Sequence, residues 1–301
     1  MEPIVMVPER VARATAAVGG WWFEPLPRGR VAALRVVVYG FIFLDVLVLR
    51  PWVMGHGDLP EEMYSPLFLG RALPLPTPTP LFVRAVAALL LVGAAVAMTG
   101  RAARSVGAAV FLLYFEWMII AFSYGKVDHD RLAFLVALAV LPTVGRVRFD
   151  REAASRPRDE ASGFAIRCIQ VAIVLTYVLS VVAKIRFGGG VEWLNGSVLA
   201  RAIVRRGSFV ADPLLDYPWL LQAAQYLIVA FELGTPLLLV RGRVGRAYLG
   251  ATVVFHAVTF TFIGLMFWPH IVCLSAFVPL ERLTVTRRLA RARASPLLEG
   301  A

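Results

Sequence analysis

Eight stretches of mainly apolar residues recur along the chain, separated by short segments rich in charge, glycine or proline. They run over about 31–50, 81–99, 105–123, 131–145, 165–186, 219–240, 246–263 and 266–281. Most are near the length of about twenty residues that crosses roughly 30 Å of hydrocarbon as a helix. The fourth and the last are shorter, and the break at Gly264 to Trp268 is the weakest boundary, so seven helices is the alternative count. The pattern predicts an all-α fold, a polytopic integral membrane helical bundle with about eight transmembrane helices. It divides the chain into an N-terminal segment 1–30, a transmembrane domain 31–285 and a basic tail 286–301.

The connectors differ in kind. Residues 51–80 carry Asp58, Glu61 and Glu62 and then the run from Pro74 to Pro80, whose closely spaced prolines exclude a helix and predict a stiff connector or cap. Residues 187–218 contain Gly188, Gly189 and Gly190 and then a segment in which Leu194, Val198, Leu199, Ala202 and Ile203 fall at helical spacing, with Arg201, Arg205 and Arg206 on other faces. Such a helix can lie in the membrane interface with its apolar face down, or simply tether its neighbours. No repeat with a period of tens of residues is visible.

Composition agrees with the pattern. Of 301 residues, 59% are hydrophobic and 17% charged, against about a quarter charged in ordinary soluble domains. The net charge of +11 would suggest a nucleic-acid partner in a soluble protein, but here its distribution reports topology. With a cytoplasmic N-terminus, the inner segments hold 20 of the 31 basic residues, the outer segments hold 10, and Arg35 lies within the first helix. That bias predicts that both termini are cytoplasmic; the expected location is a bacterial cytoplasmic (inner) membrane, with membrane lipids as the surroundings and no nucleic acid. Residues 1 to 30 contain no uninterrupted apolar stretch of signal-peptide type. Cys168 and Cys273 each sit inside an apolar run and read as core packing.

Ionisable residues at membrane depth cost several kcal/mol and usually face a bundle interior, a cavity or a partner. They are Arg35, Asp45, Glu116, Lys184, Arg186, Glu232 and His256, of which Arg35 is close enough to a helix end to snorkel. The only two lysines, Lys126 and Lys184, both fall on the outer side. Lys126 belongs to the densest polar cluster, Ser123 to Arg131, with His129 and two aspartates. A desolvated lysine there favours its neutral form and can act as a general base, whereas a solvated one merely pairs with the aspartates. Lys184 is followed by Trp193, which also fits an interfacial anchor. His256 precedes Phe260, Phe262, Phe267 and Trp268, an aromatic run that suits a flat apolar ring or simply a membrane interface. No metal is predicted: the four histidines show no paired spacing, and nucleotide and dinucleotide fingerprints are absent.

At these residues the chain resembles the HTTM (horizontally transferred transmembrane) domain family, related to the membrane domain of vitamin K-dependent gamma-carboxylase. The parallels run in order from Ser123-Tyr-Gly-Lys126 and His129, through Gln170, Tyr177, Lys184 and Trp193-Leu-Asn-Gly196, to Glu232-Leu-Gly-Thr-Pro236 and Phe255-His256 with Phe262 to Phe267. The resemblance implies a quinone or quinol cofactor, menaquinone or vitamin K-like, in an outward-facing pocket. It implies that Lys126 acts as the quinol-activating base with His129 beside it, and that Lys184, Trp193, His256 and Phe262 contribute to cofactor binding. Only Val127 and Asp128 separate Lys126 from His129, where the carboxylase has a longer continuation, and that difference argues against glutamyl carboxylation. The expectation is therefore a quinone-linked membrane enzyme. The rival is a non-enzymatic membrane protein that binds lipid or peptide, or assists maturation or export of a small secreted peptide.

Overall fold

A computed structural model of the chain describes residues 9–73, 75–125, 127–150 and 152–282. They are mostly helical. In chain order the α-helices are α1 (Glu9–Trp22), α2 (Arg28–Leu44), α3 (Phe68–Ala72), α4 (Pro80–Met98), α5 (Ser105–Phe122), α6 (Leu132–Val140), α7 (Glu160–Phe187), α8 (Ser197–Arg206), α9 (Pro218–Gly234), α10 (Arg243–Ile263) and α11 (Trp268–Leu274). The two short strands β1 (Leu26–Pro27) and β2 (Arg158–Asp159) pair antiparallel, Leu26 opposite Asp159.

Every apolar run of the sequence folds as helix, but not every helix is a span. Among the described residues, five are long and apolar enough to cross a membrane: Arg28–Leu49, in which α2 continues through a π-helical turn, together with α4, α5, α7 and α10. The other three predicted runs are helical without meeting that measure, so eight spans is not confirmed. The run at 131–145 is helical over Leu132–Thr143 and the last over Trp268–Phe277. At about 1.5 Å per residue each covers roughly half the hydrocarbon thickness. The run at 219–240 is α-helical only to Gly234, after which Thr235–Leu239 tightens into a 3-10 turn containing Pro236.

The helices fall into two compact units. The first comprises the described residues of 1–127, 137–168 and 279–301. In it α2 packs on α4, and α4 on α5. Residues Val31, Leu34, Val38, Ile42 and Val46, spaced three and four apart, are fully buried, as are Val83, Leu90 and Ala94 on α4 and Val110, Tyr114 and Trp117 on α5. Helix α4 begins where the sequence signals it: the Thr79 hydroxyl accepts a hydrogen bond from the Phe82 amide and Pro80 takes the first helical position.

Arg35 does not snorkel. It is 1% exposed and its guanidinium donates to the carbonyls of Leu141, Val144 and Gly145, which supply acceptors left over where the helix Leu132–Thr143 ends. Asp45 is likewise fully buried, accepting 2.8 Å from the Tyr114 hydroxyl and lying 3.7 Å from Arg50. Gly29 is required by close packing, since a Cβ there would stand 1.8 Å from the Ala153 carbonyl oxygen. Helix α1, which the apolar pattern did not predict, leads into contacts with α7: Phe23 stacks on Phe164 at 5.4 Å, Arg167 lies 4.6 Å over the Trp21 ring and donates to Glu24 at 2.8 Å.

The second unit comprises residues 128–136 and 169–278. It holds α8 to α11, α7 from Ile169 onward and the 3-10 turn His129–Arg131. A small cluster of Ile203, Ala211 and Leu221, with Leu199, Phe262 and Ile263 around it, ties α8 to α9 and α10. Helix α10 stops at Gly264, whose φ of +64° suits glycine at a helix C-terminus. Cys273 is buried here and Cys168, in the first unit, is half-buried; neither is in a disulfide.

Candidate functional site

The second unit encloses a cavity of about 600 Å³, within the range of sites that hold one drug-sized ligand. Helix α7 contributes Thr176, Tyr177, Ser180 and Lys184, and α8 contributes Val198, Leu199, Ala202 and Ile203. From α9 come Leu221, Ala224, Leu227, Ile228 and Glu232, and from α10 Phe255, His256, Val258, Thr259 and Phe262. Trp193, Phe267, His270 and Asp130 complete the parts of the wall used below.

Spacing explains the polar side. Tyr177, Ser180 and Lys184 are three and seven residues apart and so share one face of α7. Lys184 Nζ donates to Glu232 Oε2, Ser180 Oγ donates to Glu232 Oε1 at 3.5 Å, and the Lys184 ammonium lies 5.3 Å from the Trp193 ring centroid. Trp193 is itself held by Gln225, whose Nε2 donates to its carbonyl at 2.5 Å. The pair satisfies the cost of placing either charge at membrane depth.

The second polar group is Tyr177 with His256, whose Oη and Nε2 are 2.6 Å apart. With the phenol donating to Nε2, the neutral imidazole carries its proton on Nδ1, a buried atom without a hydrogen-bond partner. His270 meets the Tyr177 ring edge to face at 4.7 Å, and Phe267 meets His256 at 5.6 Å. Below them Phe231 stacks on Phe255 at 4.5 Å and on Tyr248 at 5.4 Å. The site is thus an apolar chamber with two hydrogen-bonded polar pairs and an aromatic base.

Four residues singled out in the sequence, Lys184, Trp193, His256 and Phe262, line this one cavity. Lys126 lies outside the described residues, as does the side chain of His129. Their neighbour Asp130 is buried and lines the cavity. Ser123 and Tyr124, at the start of the same polar cluster, belong instead to the first unit, where Tyr124 Oη donates to the His56 carbonyl at 3.2 Å and its ring lies 4.2 Å from the His56 imidazole. Burial holds His56 below its ordinary pKa, a shift only partly offset by its hydrogen bond to the Ile120 carbonyl.

Glu232 lines the cavity, whereas Glu116 belongs to the first unit, where its buried carboxylate oxygens have no hydrogen-bond partner. Tyr177 and His270 were not identified as cavity residues from the sequence, although the i, i+3, i+7 spacing of Tyr177, Ser180 and Lys184 was a readable signal. Among the described residues, no three His, Cys, Asp or Glu side chains gather as metal ligands.

No protein-family model matches the chain, and no curated protein or solved structure matches it either.

Proposed function

We propose that the chain is a multi-pass membrane protein whose second unit binds a quinone or quinol and acts as a quinone-linked enzyme. The observation that carries this reading is the lining of the cavity, which sets the hydrogen-bonded pairs Tyr177–His256 and Lys184–Glu232 in a mainly apolar wall with several aromatic rings. Few polar groups in a mainly apolar wall are the pattern that orients a ligand carrying a carbonyl or hydroxyl oxygen on an apolar body. The rings of Phe255, Phe262, Phe267 and Trp193 suit a flat ring, and Leu227, Ile228 and Val258 suit a hydrocarbon tail.

When bound, a quinone supplies two-electron redox chemistry coupled to protons. The protein's part is positioning and proton handling. Tyr177 and His256 would form one polar pole toward a ligand oxygen, with their own Oη–Nε2 hydrogen bond holding the imidazole in place. The Lys184–Glu232 pair gives the opposite polar pole, with Trp193 covering the ammonium. Assignment of Lys126 as the base that activates a quinol, with His129 beside it, rests on the family resemblance alone.

The test is direct titration of the purified full chain with a short-tailed menaquinone, together with mass spectrometry of the lipid carried through purification. His256→Ala and Tyr177→Phe are each expected to weaken binding by about tenfold or more, the loss of one buried hydrogen bond. A stoichiometric phospholipid or peptide with no quinone, and no menaquinone binding, overturns the reading in favour of a lipid- or peptide-binding protein.

A further inference from the structure

We infer that the cavity is loaded sideways from the bilayer, through an opening between α9 and α10, and that its occupant is an amphiphile whose hydrocarbon tail remains in that opening. The inference rests on the cavity being a ligand site, but not on the ligand being a quinone.

Helices α9 and α10 are joined through Thr235–Leu239 and meet near that end, where Phe231 stacks on Tyr248 and Phe255 and the Tyr248 hydroxyl donates to the Phe231 carbonyl. One helical turn further on, Leu227 and Val258 line the cavity while 71% and 49% exposed. A residue that is at once cavity wall and outer surface marks a place where the wall is open.

Beyond this level the far ends of α9 and α10 are bridged by α8, whose Ile203 packs with Leu221 and Phe262. The α8 residues Leu199, Ala202 and Ile203 face the cavity and are buried or half-buried, Val198 lines it near the start of the helix while exposed, and Arg201, Arg205 and Arg206 are exposed. Of the exposed lining residues, Leu227 on α9 and Val258 on α10 are the most exposed, and the widest opening lies between these two helices, with a smaller one beside Val198 at the start of α8.

The chemistry of that side identifies what passes through it. The cavity residues that are exposed, Val198, Leu227 and Val258, are all apolar, whereas the wall's charged and hydrogen-bonding groups on Tyr177, His256, Lys184 and Glu232 are buried or half-buried. The surrounding surface, Val254 on α10 and Leu233 on α9, is also apolar and exposed. Only 11% of the most apolar stretch of α10 is buried, the least of the five candidate spans among the described residues. A water-soluble ligand would have to shed its hydration along this route, whereas an amphiphile already in the bilayer slides in with its polar head toward Tyr177 and Lys184 and its tail trailing outward.

The experiment uses the full chain in lipid nanodiscs, in a Cys168→Ala, Cys273→Ala background with Ala224→Cys inside the chamber carrying a small bimane fluorophore. Leu233→Cys, on the exposed face of α9, serves as the lipid-facing reference. Phospholipids brominated on their acyl chains are expected to quench both labels, and aqueous iodide neither. Quenching at Ala224 by iodide, or by neither agent, overturns lateral loading, because the chamber then opens to water or is covered by protein.

A companion measurement follows uptake of short-tailed menaquinone from vesicles. Leu227→Trp with Val258→Trp is expected to slow loading by about tenfold; unchanged kinetics also overturns the inference. If menaquinone fails to bind but the bromolipid result holds, the quinone reading falls and the lateral opening stands. If menaquinone binds while iodide quenches Ala224, the opposite follows.

Discussion

The two units use similar apolar helices in opposite ways. In the first, more than half of the most apolar stretch of Arg28–Leu49 and of α5 is buried, and the charged groups Arg35 and Asp45 are enclosed by hydrogen bonds to neighbouring helix ends and to Tyr114. In the second, only 11% of the most apolar stretch of α10 is buried, and the interior that its helices surround holds a chamber. In lipid, where helix association depends on side-chain packing and interhelical hydrogen bonds more than on escape from water, such a chamber sacrifices packing. Forgoing packing around buried polar pairs is what the proposed ligand site requires.

The comparison is tested most severely by truncating one large residue on each side. Trp117 is fully buried between helices of the first unit, and Trp117→Ala is expected to cost about 3 kcal/mol, the lower end for large-to-small aromatic changes because lipid removes the water-transfer part. Val254→Ala, on the uncovered face of α10, is expected to fall within about 0.5 kcal/mol of the parent. Thermal unfolding in one detergent compares them, and a loss at Val254 as large as that at Trp117 would mean that α10 is covered by protein.

The polar pair of the second unit provides the next largest effect. Lys184→Met leaves the buried Glu232 without its lysine and is expected to cost about 2 kcal/mol, less than a fully enclosed pair because Lys184 is half-buried. Lys184→Met with Glu232→Gln should recover most of that loss, since the stranded charge is gone. A double variant as unstable as the single one would show that the two side chains are not coupled.

These contrasts also show what the sequence made legible. Long apolar runs announce helices because lipid requires every backbone group to bond internally. The predicted run at 81–99 became Pro80–Met98 and that at 105–123 became Ser105–Phe122, within one residue at each end. What the pattern could not show is length at depth: Leu132–Thr143 is apolar throughout, yet too short to cross alone. Nor could it reveal α1, whose sequence has no long apolar run and whose neighbouring aromatic residues meet Phe164 and Arg167, more than a hundred positions away.

The site divides along the same line. The family resemblance drew attention to Lys184, Trp193, His256 and Phe262, and the folded chain gathers them around one chamber. Pairing across 48 positions, as between Lys184 and Glu232, has no local signature, because either residue alone looks like a snorkelling or bundle-facing charge. The orientation of α8 was equally ambiguous. Its amphipathic spacing fits an interfacial helix or a simple tether, and the packing of Ile203 with Leu221 and Phe262 shows what its apolar face meets.

The smallest expected effect is a pH dependence belonging to the first unit. Arg30 forms a two-pronged bond to Glu281, Nε to Oε2 at 2.9 Å and Nη2 to Oε1 at 2.8 Å. Burial alone would push the Glu281 carboxyl up, but the Arg30 hydrogen bonds outweigh it and hold the group below its ordinary value. The folded protein therefore binds fewer protons than the unfolded chain in the interval below the unfolded glutamate value of about 4.3, and stability rises with pH there. The contribution, about 1–2 kcal/mol for charge-assisted bonds of this kind, is fully present above that value and is lost as pH falls through the folded one. Glu281→Gln should remove this acid-side slope while leaving menaquinone binding in the second unit unchanged. A slope that survives the substitution would place the titrating group elsewhere, and a change in binding would show that the closed unit and the open one are coupled.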